Sequence, residues 1–238
     1  MLKNILKIIF FFFLGVIGGI FADQILWPYF VERPLFYQYN LEKTPIYLTE
    51  TKEVVIQENT ALKEAIEKAD KVAVAIRTKT KTGKIIEGSG LILTADGLVI
   101  TLADLVPSGG NSFFFVEGEA VAFQILKRDL KGNLALIKIE KTNLPTVGFF
   151  DLEKLKLGER VFLLGLVFEE NGIKKSVNEG IVKNFDQELI KTNISEEANL
   201  AGSSLFDIEG NFLGLNVISS GGQMVTIPVN KIKSFSGF

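Results

Sequence analysis

Gly88-Ser89-Gly90-Leu91-Ile92-Leu93-Thr94-Ala95-Asp96-Gly97-Leu98-Val99-Ile100-Thr101-Leu102-Ala103-Asp104-Leu105-Val106 is the stretch from which the fold can be read. Two short apolar runs, over 85–93 and 98–101, flank Asp96-Gly97. An Asp-Gly pair between two such runs signals a hairpin, because both residues tolerate the positive φ of a tight turn. Outward from this hairpin the pattern repeats. A run over 72–78 precedes it, and runs over 121–126, 134–139, 161–168, 180–185, 189–192, 212–218 and 224–227 follow. Asn171-Gly172 and Gly210-Asn211 punctuate them in the same way. Roughly a dozen strands at this spacing predict an all-β sandwich or barrel. There is no βαβ rhythm and no internal repeat.

Toward the N-terminus, Lys3 and Lys7 precede an apolar run over 8–22 that includes Phe10, Phe11, Phe12 and Phe13. Asp23 and Gln24 interrupt it before Ile25, Leu26 and Trp27. The strict run falls short of the ~20 residues a spanning helix needs. The extra turn, or snorkelling of Lys7, makes up the difference. Trp27 and Tyr29 suit the membrane interface, and the lysines place the N-terminus in the cytoplasm and the remainder outside. Residues 1–30 therefore read as an uncleaved single-pass anchor. A signal peptide cut after Ala22 is the competing reading, and it would put Ile20 where a small residue is usual. Gly15 and Gly19 form a GxxxG pair suited to helix contact. Residues 31–58 read as a partly docked linker, since Phe36, Tyr37, Tyr39 and Tyr47 are too many aromatics for a solvated tether. Asn59 or Thr60 is expected to cap a short helix whose apolar face is Ala61, Leu62, Ala65, Ile66 and Ala69. The folded domain is expected over 59–238.

Composition narrows the chemistry. The 238 residues carry a formal charge of −2 without a basic patch, which argues against a nucleic-acid partner. No cysteine is present, so disulfides, thiolate metal sites and cysteine nucleophiles are excluded. No histidine is present either, which closes every mechanism that uses imidazole as general base.

Three segments resemble the HtrA/Deg branch of the trypsin-like serine proteases. Gly88-Ser89-Gly90 through Val106 is similar to a GSG strand, a tight turn and a strand ending in T-x-x-H-V-V. Asn133-Leu134-Ala135-Leu136-Ile137-Lys138-Ile139 is similar to D-L-A-V-L-K-I. Ile190-Lys191-Thr192-Asn193, then Asn199-Leu200-Ala201-Gly202-Ser203-Ser204-Leu205, then Gly210 to Asn216, is similar to I-Q-T-D, G-N-S-G-G-P-L and D-G-x-x-I-G-I-N. Ile227-Pro228 resembles the closing A-I-P. The resemblance covers about residues 61–232 and implies a trypsin-like double six-stranded β-barrel. The family's usual PDZ domain is not expected, because too few residues follow the match.

The resemblance also implies a site. Its triad positions fall on Asp104, Asn133 and Ala201, and its oxyanion loop on Asn199, Leu200, Ala201 and Gly202. Ala201 has no nucleophilic oxygen, a carboxylate at 104 is a weak base toward a hydroxyl, and Asn133 cannot stabilise an imidazolium. Asn199 stands at the loop's glycine position, where a positive φ is expected. A hydrogen bond between Asp104 and Asn133 is expected to replace the His–Asp contact and hold the lobes together. One carboxylate and one amide are too few ligands for calcium, so no metal or cofactor is expected.

Three roles remain open. One is a pseudoprotease that binds extended peptides or misfolded exported proteins along Asn216, Val217 and Ile218, beside Ser219-Ser220-Gly221-Gly222. Another is a regulatory or scaffold subunit, trimeric as the resemblance implies, with Phe36, Tyr37, Tyr39 and Tyr47 as contacts and with Phe113 to Phe115 and Phe149-Phe150 closing the cleft or forming an outer patch. The last is a serine hydrolase with a relocated nucleophile, Ser203 or Ser204, served by Lys191. Ser89 is expected to be structural.

Overall fold

The structure, a computed structural model, describes residues 2–27, 58–219 and 221–238. The chain divides into two units, residues 1–56 and 57–238. In the first, α1 (Leu2–Phe21) continues through a π turn (Ala22–Leu26) to Trp27, so Asp23 and Gln24 bend the helix register without ending it. Lys3–Ile25 has a mean hydropathy of 2.5 over 23 residues and is long and apolar enough to cross a membrane. At 1.5 Å per residue it spans about 34 Å, against about 30 Å of hydrocarbon. Tyr29, expected at the membrane interface, and Phe36, Tyr37, Tyr39 and Tyr47, expected in a docked linker, fall outside the described residues.

The second unit opens with α2 (Glu58–Asp70). Asn59 and Thr60, the expected caps, lie within its first turn and not ahead of it. Ala65 and Ala69 are buried and Leu62 and Ile66 pack on the core, as the helical spacing predicts, while Ala61 is exposed. A first sheet follows: β1 (Ala73–Lys79), β2 (Ile85–Ile92), β3 (Leu98–Thr101), β4 (Asn111–Val116), β5 (Glu119–Val121), β6 (Phe123–Asp129) and β7 (Leu134–Ile139). Its order is β5-β4-β1-β2-β3-β7-β6. The second sheet is a closed barrel of β8 (Arg160–Glu169), β9 (Gly172–Phe185), β10 (Ile190–Ser195), β11 (Ser204–Asp207), β12 (Phe212–Ile218) and β13 (Gln223–Pro228). α3 (Val229–Ser236) closes the chain, ended by Gly237 at φ +90°.

The expected fold is present, with one correction. Only the second sheet is a closed six-stranded barrel. The first is a half-barrel whose end strands, β5 and β6, are separated by Ala122 alone, and its carbonyl accepts from Glu140 N–H at 2.9 Å. The run over 121–126 therefore divides between two strands, one pairing with β4 and the other with β7. The Asp96-Gly97, Asn171-Gly172 and Gly210-Asn211 signals all fall in turns, with Gly97, Gly172 and Gly210 at positive φ.

Ser89 clasps the two sheets together. It is buried on β2, its Oγ accepts from Leu166 N–H of β8 at 2.8 Å, and its N–H donates to the Ala201 carbonyl at 2.9 Å. Ser89→Ala strands the buried Leu166 N–H. The expected loss is about 2 kcal/mol, read from the denaturation midpoint; an unchanged midpoint would show that the clasp contributes nothing.

Candidate functional site

The three resemblance segments converge on one place. A 3-10 turn (Ala198–Leu200) leads into Ala201 and Gly202. Gly202 adopts φ +75°, a conformation that glycine reaches without strain. Its N–H donates to the Asn216 carbonyl at 2.8 Å. The Leu105 side chain lies against Gly88 and Gly202, so the segment carrying Asp104 and the loop carrying Ala201 pack on the same part of β2.

Asp104 and Asn133 pair as expected. Asn133 Nδ2 donates to Asp104 Oδ2 at 2.9 Å, and Asp104 N–H donates to Asn133 Oδ1 at 3.0 Å. Asn133 sits at φ +50°, which asparagine tolerates better than other side chains. The pair does not join the lobes, however. Asp104 lies in the 3-10 turn (Ala103–Leu105) after β3, and Asn133 just before β7, and these strands are neighbours in the same sheet. The lobe-joining role belongs to Ser89.

The oxyanion loop departs from expectation. Asn199 lies inside the 3-10 turn and is not among the positive-φ residues; Gly202 takes that conformation instead. The Ala201 N–H donates to the Ala198 carbonyl at 3.1 Å, and the Leu200 N–H to the Glu197 carbonyl at 3.0 Å. Preorganised oxyanion stabilisation needs donors aimed into the site. Here the amide of Ala201 is spent on its own turn.

Ser203 and Ser204 are buried. Ser203 Oγ accepts from Asn216 Nδ2 at 3.0 Å, and Asn216 Oδ1 accepts from Thr226 Oγ1 at 2.6 Å. None of these groups is a general base. Lys191 is exposed on β10 and hydrogen-bonds neither serine. Thr226 completes the chain of bonds, and its one signal in the sequence is a hydroxyl in the otherwise apolar Met224-Val225-Thr226-Ile227 run.

The expected peptide edge is shorter than predicted. Asn216 is buried, and its N–H donates to the Ser203 carbonyl while its own carbonyl takes Gly202 N–H. Its main chain is thus occupied on the β11 side. β12 pairs with β11 only as far as Leu215, but with β13 through Ile218. Since bonding sides alternate along a strand, Ile218 turns its N–H and C=O toward the side that β11 leaves, where no described residue pairs with it. Ser220 is outside the described residues. The phenylalanines do not form one patch: Phe114 is core, Phe115 meets Phe168, and Phe149 packs on Phe212 and Phe238.

The trypsin-like peptidase domain family matches residues 88–215. A probable periplasmic serine endoprotease, DegP-like, of Halomonas elongata is 30% identical over 149 residues, covering 58% of this chain and 31% of that protein. The protein of the same description from Pseudomonas putida is 32% identical over 138 residues, covering 54% of this chain and 28% of its own length. The matched region thus spans about a third of these relatives. The solved structure of an HtrA-type protease, AlgW, with a tripeptide superposes with a TM-score of 0.66 at 21% identity, covering 74% of this chain and 62% of that one.

Proposed function

We propose a non-hydrolytic role for this chain, which belongs to the trypsin-like peptidase domain family on its HtrA/Deg-type branch: a membrane-anchored, exported pseudoprotease that binds extended peptide or unfolded protein. The observation that carries it is the content of the three matched positions, Asp104, Asn133 and Ala201, in a chain with no histidine. Without a hydroxyl at 201 no acyl-enzyme forms there, and without imidazole no partner takes the proton. The turned-in Ala201 amide supports the same reading. Burial of Ser203 against an amide argues against a relocated nucleophile.

Binding needs less. An extended peptide can add to an open strand edge with no catalytic group, and Ile218 offers its N–H and C=O at the end of β12. The apolar Lys3–Ile25 helix and the flanking lysines support the anchor with its N-terminus in the cytoplasm. The periplasmic naming of the relatives supports export of the domain.

The detergent-solubilised chain is expected to leave unfolded casein uncut at every pH, with and without Ser203→Ala/Ser204→Ala, while binding fluorescent casein. Ile218→Pro, which removes the N–H on the open edge, is expected to weaken that binding about tenfold. Cleavage that disappears in the double variant would overturn the pseudoprotease reading. Binding that is absent from the start would move the role to a regulatory or scaffold subunit.

A further inference from the structure

A second strand edge lies far from β12 in sequence. β9, at 14 residues, pairs with β8 along all of Gly172–Ile181 in unbroken register. β10 joins its other side only from Val182 onward, where Thr192 pairs with it. From Gly172 to Glu179, therefore, one side of β9 has no strand partner among the described residues, although the Asn178 side chain donates to Glu196 Oε1 at 2.5 Å. The stretch contains no proline and no bulge, two of the devices that protect such an edge, and its outward charges, Lys175 and Glu179, are of opposite sign.

Hydrogen-bond parity identifies the groups on that side. Glu169 and Gly172 close a two-residue hairpin and so exchange bonds, which directs the even-numbered residues of β9 toward β8. The odd-numbered residues, Ile173, Lys175, Val177 and Glu179, turn N–H and C=O outward. Ile181 agrees with this parity: its N–H donates outward to Asn193 Oδ1 at 2.7 Å, which also ends the open stretch. Val182 agrees from the other side, donating to the Glu159 carbonyl at 2.9 Å.

We propose that a second copy of this chain adds to this edge, antiparallel, with Val177 on the two-fold axis. The segment is complementary to itself. Pairing about Val177 sets Val177 against Val177 and Lys175 against Glu179 of the other copy, and stops short of Ile181, whose N–H is taken by Asn193 Oδ1. Opposite charges and apolar residues directly across an antiparallel pair are the stabilising combinations, and a two-fold interface requires one patch to fit itself. All the odd side chains lie on one face, with Val177 and Ile181 about 40% exposed (40% and 41%) in the single copy. Lys175 already pairs with Asp70, and Glu179 with Arg160 at 3.0 Å. Association lines these up as a row of alternating sign across the interface. About six main-chain bonds form around the axis, each otherwise left to water. This edge is separate from the peptide edge at Ile218, so the inference does not rest on the proposed function.

The chain has no cysteine, so one introduced thiol reports the contact cleanly. Directly opposed residues of an antiparallel pair have Cα atoms about 5.5 Å apart, within disulfide reach. The detergent-solubilised 238-residue chain carrying Val177→Cys is expected to give a disulfide dimer on mild oxidation. Ile208→Cys, equally exposed in the β11–β12 turn, is expected to give about tenfold less. Adding Lys175→Glu converts two attractions into two repulsions and is expected to lower the Val177→Cys dimer about tenfold. Adding Glu179→Lys as well restores opposite charges and is expected to return it to within about twofold. Equal cross-linking at the two cysteines, no dimer, insensitivity to Lys175→Glu, or failure of the double exchange to restore the dimer would each overturn the proposal. Failure of restoration would trace the loss to the broken Asp70 pair, which the exchange does not rebuild.

Discussion

Gly202→Ala is expected to destabilise the folded unit by about 4 kcal/mol, at the upper end of single substitutions. Two independent costs meet there. At φ +75° any side chain pays about 1–2 kcal/mol of backbone strain. A Cβ at this position also overlaps the Ser89 carbonyl oxygen and crowds Leu105 Cδ1 at 2.9 Å. Neither neighbour can move cheaply. The Ser89 carbonyl accepts from Thr101 Oγ1 at 2.8 Å, and its residue clasps the two sheets. Gly158→Ala separates the costs, because Gly158 has φ +82° and nothing within 4 Å of a built Cβ. It should lose only the strain, about 1 kcal/mol. In thermal unfolding the Gly202 variant should melt about 12 °C lower, and the Gly158 variant about 3 °C lower. Equal shifts would mean that the loop gives way and the close approach to β2 carries no energy.

Asn216→Leu is expected to cost about 3 kcal/mol, because it breaks a buried polar chain in the middle. Ser203, Asn216 and Thr226 are all fully buried. Removing the amide leaves the Thr226 hydroxyl without its acceptor and Ser203 Oγ without its donor. The energetic asymmetry of hydrogen bonds gives a sharper test. Ser203→Ala/Asn216→Leu/Thr226→Val removes every partner at once and is expected to recover at least about half the loss. A triple variant that is less stable than the single one would show that packing around Asn216, and not unpaired polar groups, sets the cost. Loss of Asn216 should also loosen the loop at Gly202, which can be followed as faster amide exchange of Gly202 and Ser203.

Local signals made much of the fold legible. Runs bounded by Asp96-Gly97, Asn171-Gly172 and Gly210-Asn211 became strands because those turns have few alternatives. The helix over Ala65 and Ala69 followed from its spacing. Where local signals fail, so does the reading. Phe113-Phe114-Phe115 carries no visible alternation, since three identical residues have no period. Yet β4 buries Phe114 and leaves Phe113 45% exposed. β11 begins with a serine and ends with an aspartate, which reads as loop. It is a strand because the closed barrel buries both its faces and Asp207 caps its own turn through Asn211. The positive φ expected at Asn199 lies at Gly202 instead, because the 3-10 turn displaces the point where the chain reverses.

The sequence by itself determined that imidazole chemistry is closed to this chain. No folding supplies a histidine, or a side-chain oxygen at Ala201, the position that the resemblance gives to the nucleophile. It also determined the apolar N-terminal helix, since length and hydropathy are properties of the chain. Tertiary structure alone decided who pairs with whom. That Asp104–Asn133 stays within one sheet, that Ser89 joins the two, and that among the described residues Asn216 is enclosed while Ile218 and one side of β9 have no strand partner all depend on which strands become neighbours. Those neighbours are set by closing sheets over distances of tens of residues, where main-chain groups are chemically identical and carry no mark of the partner they will find.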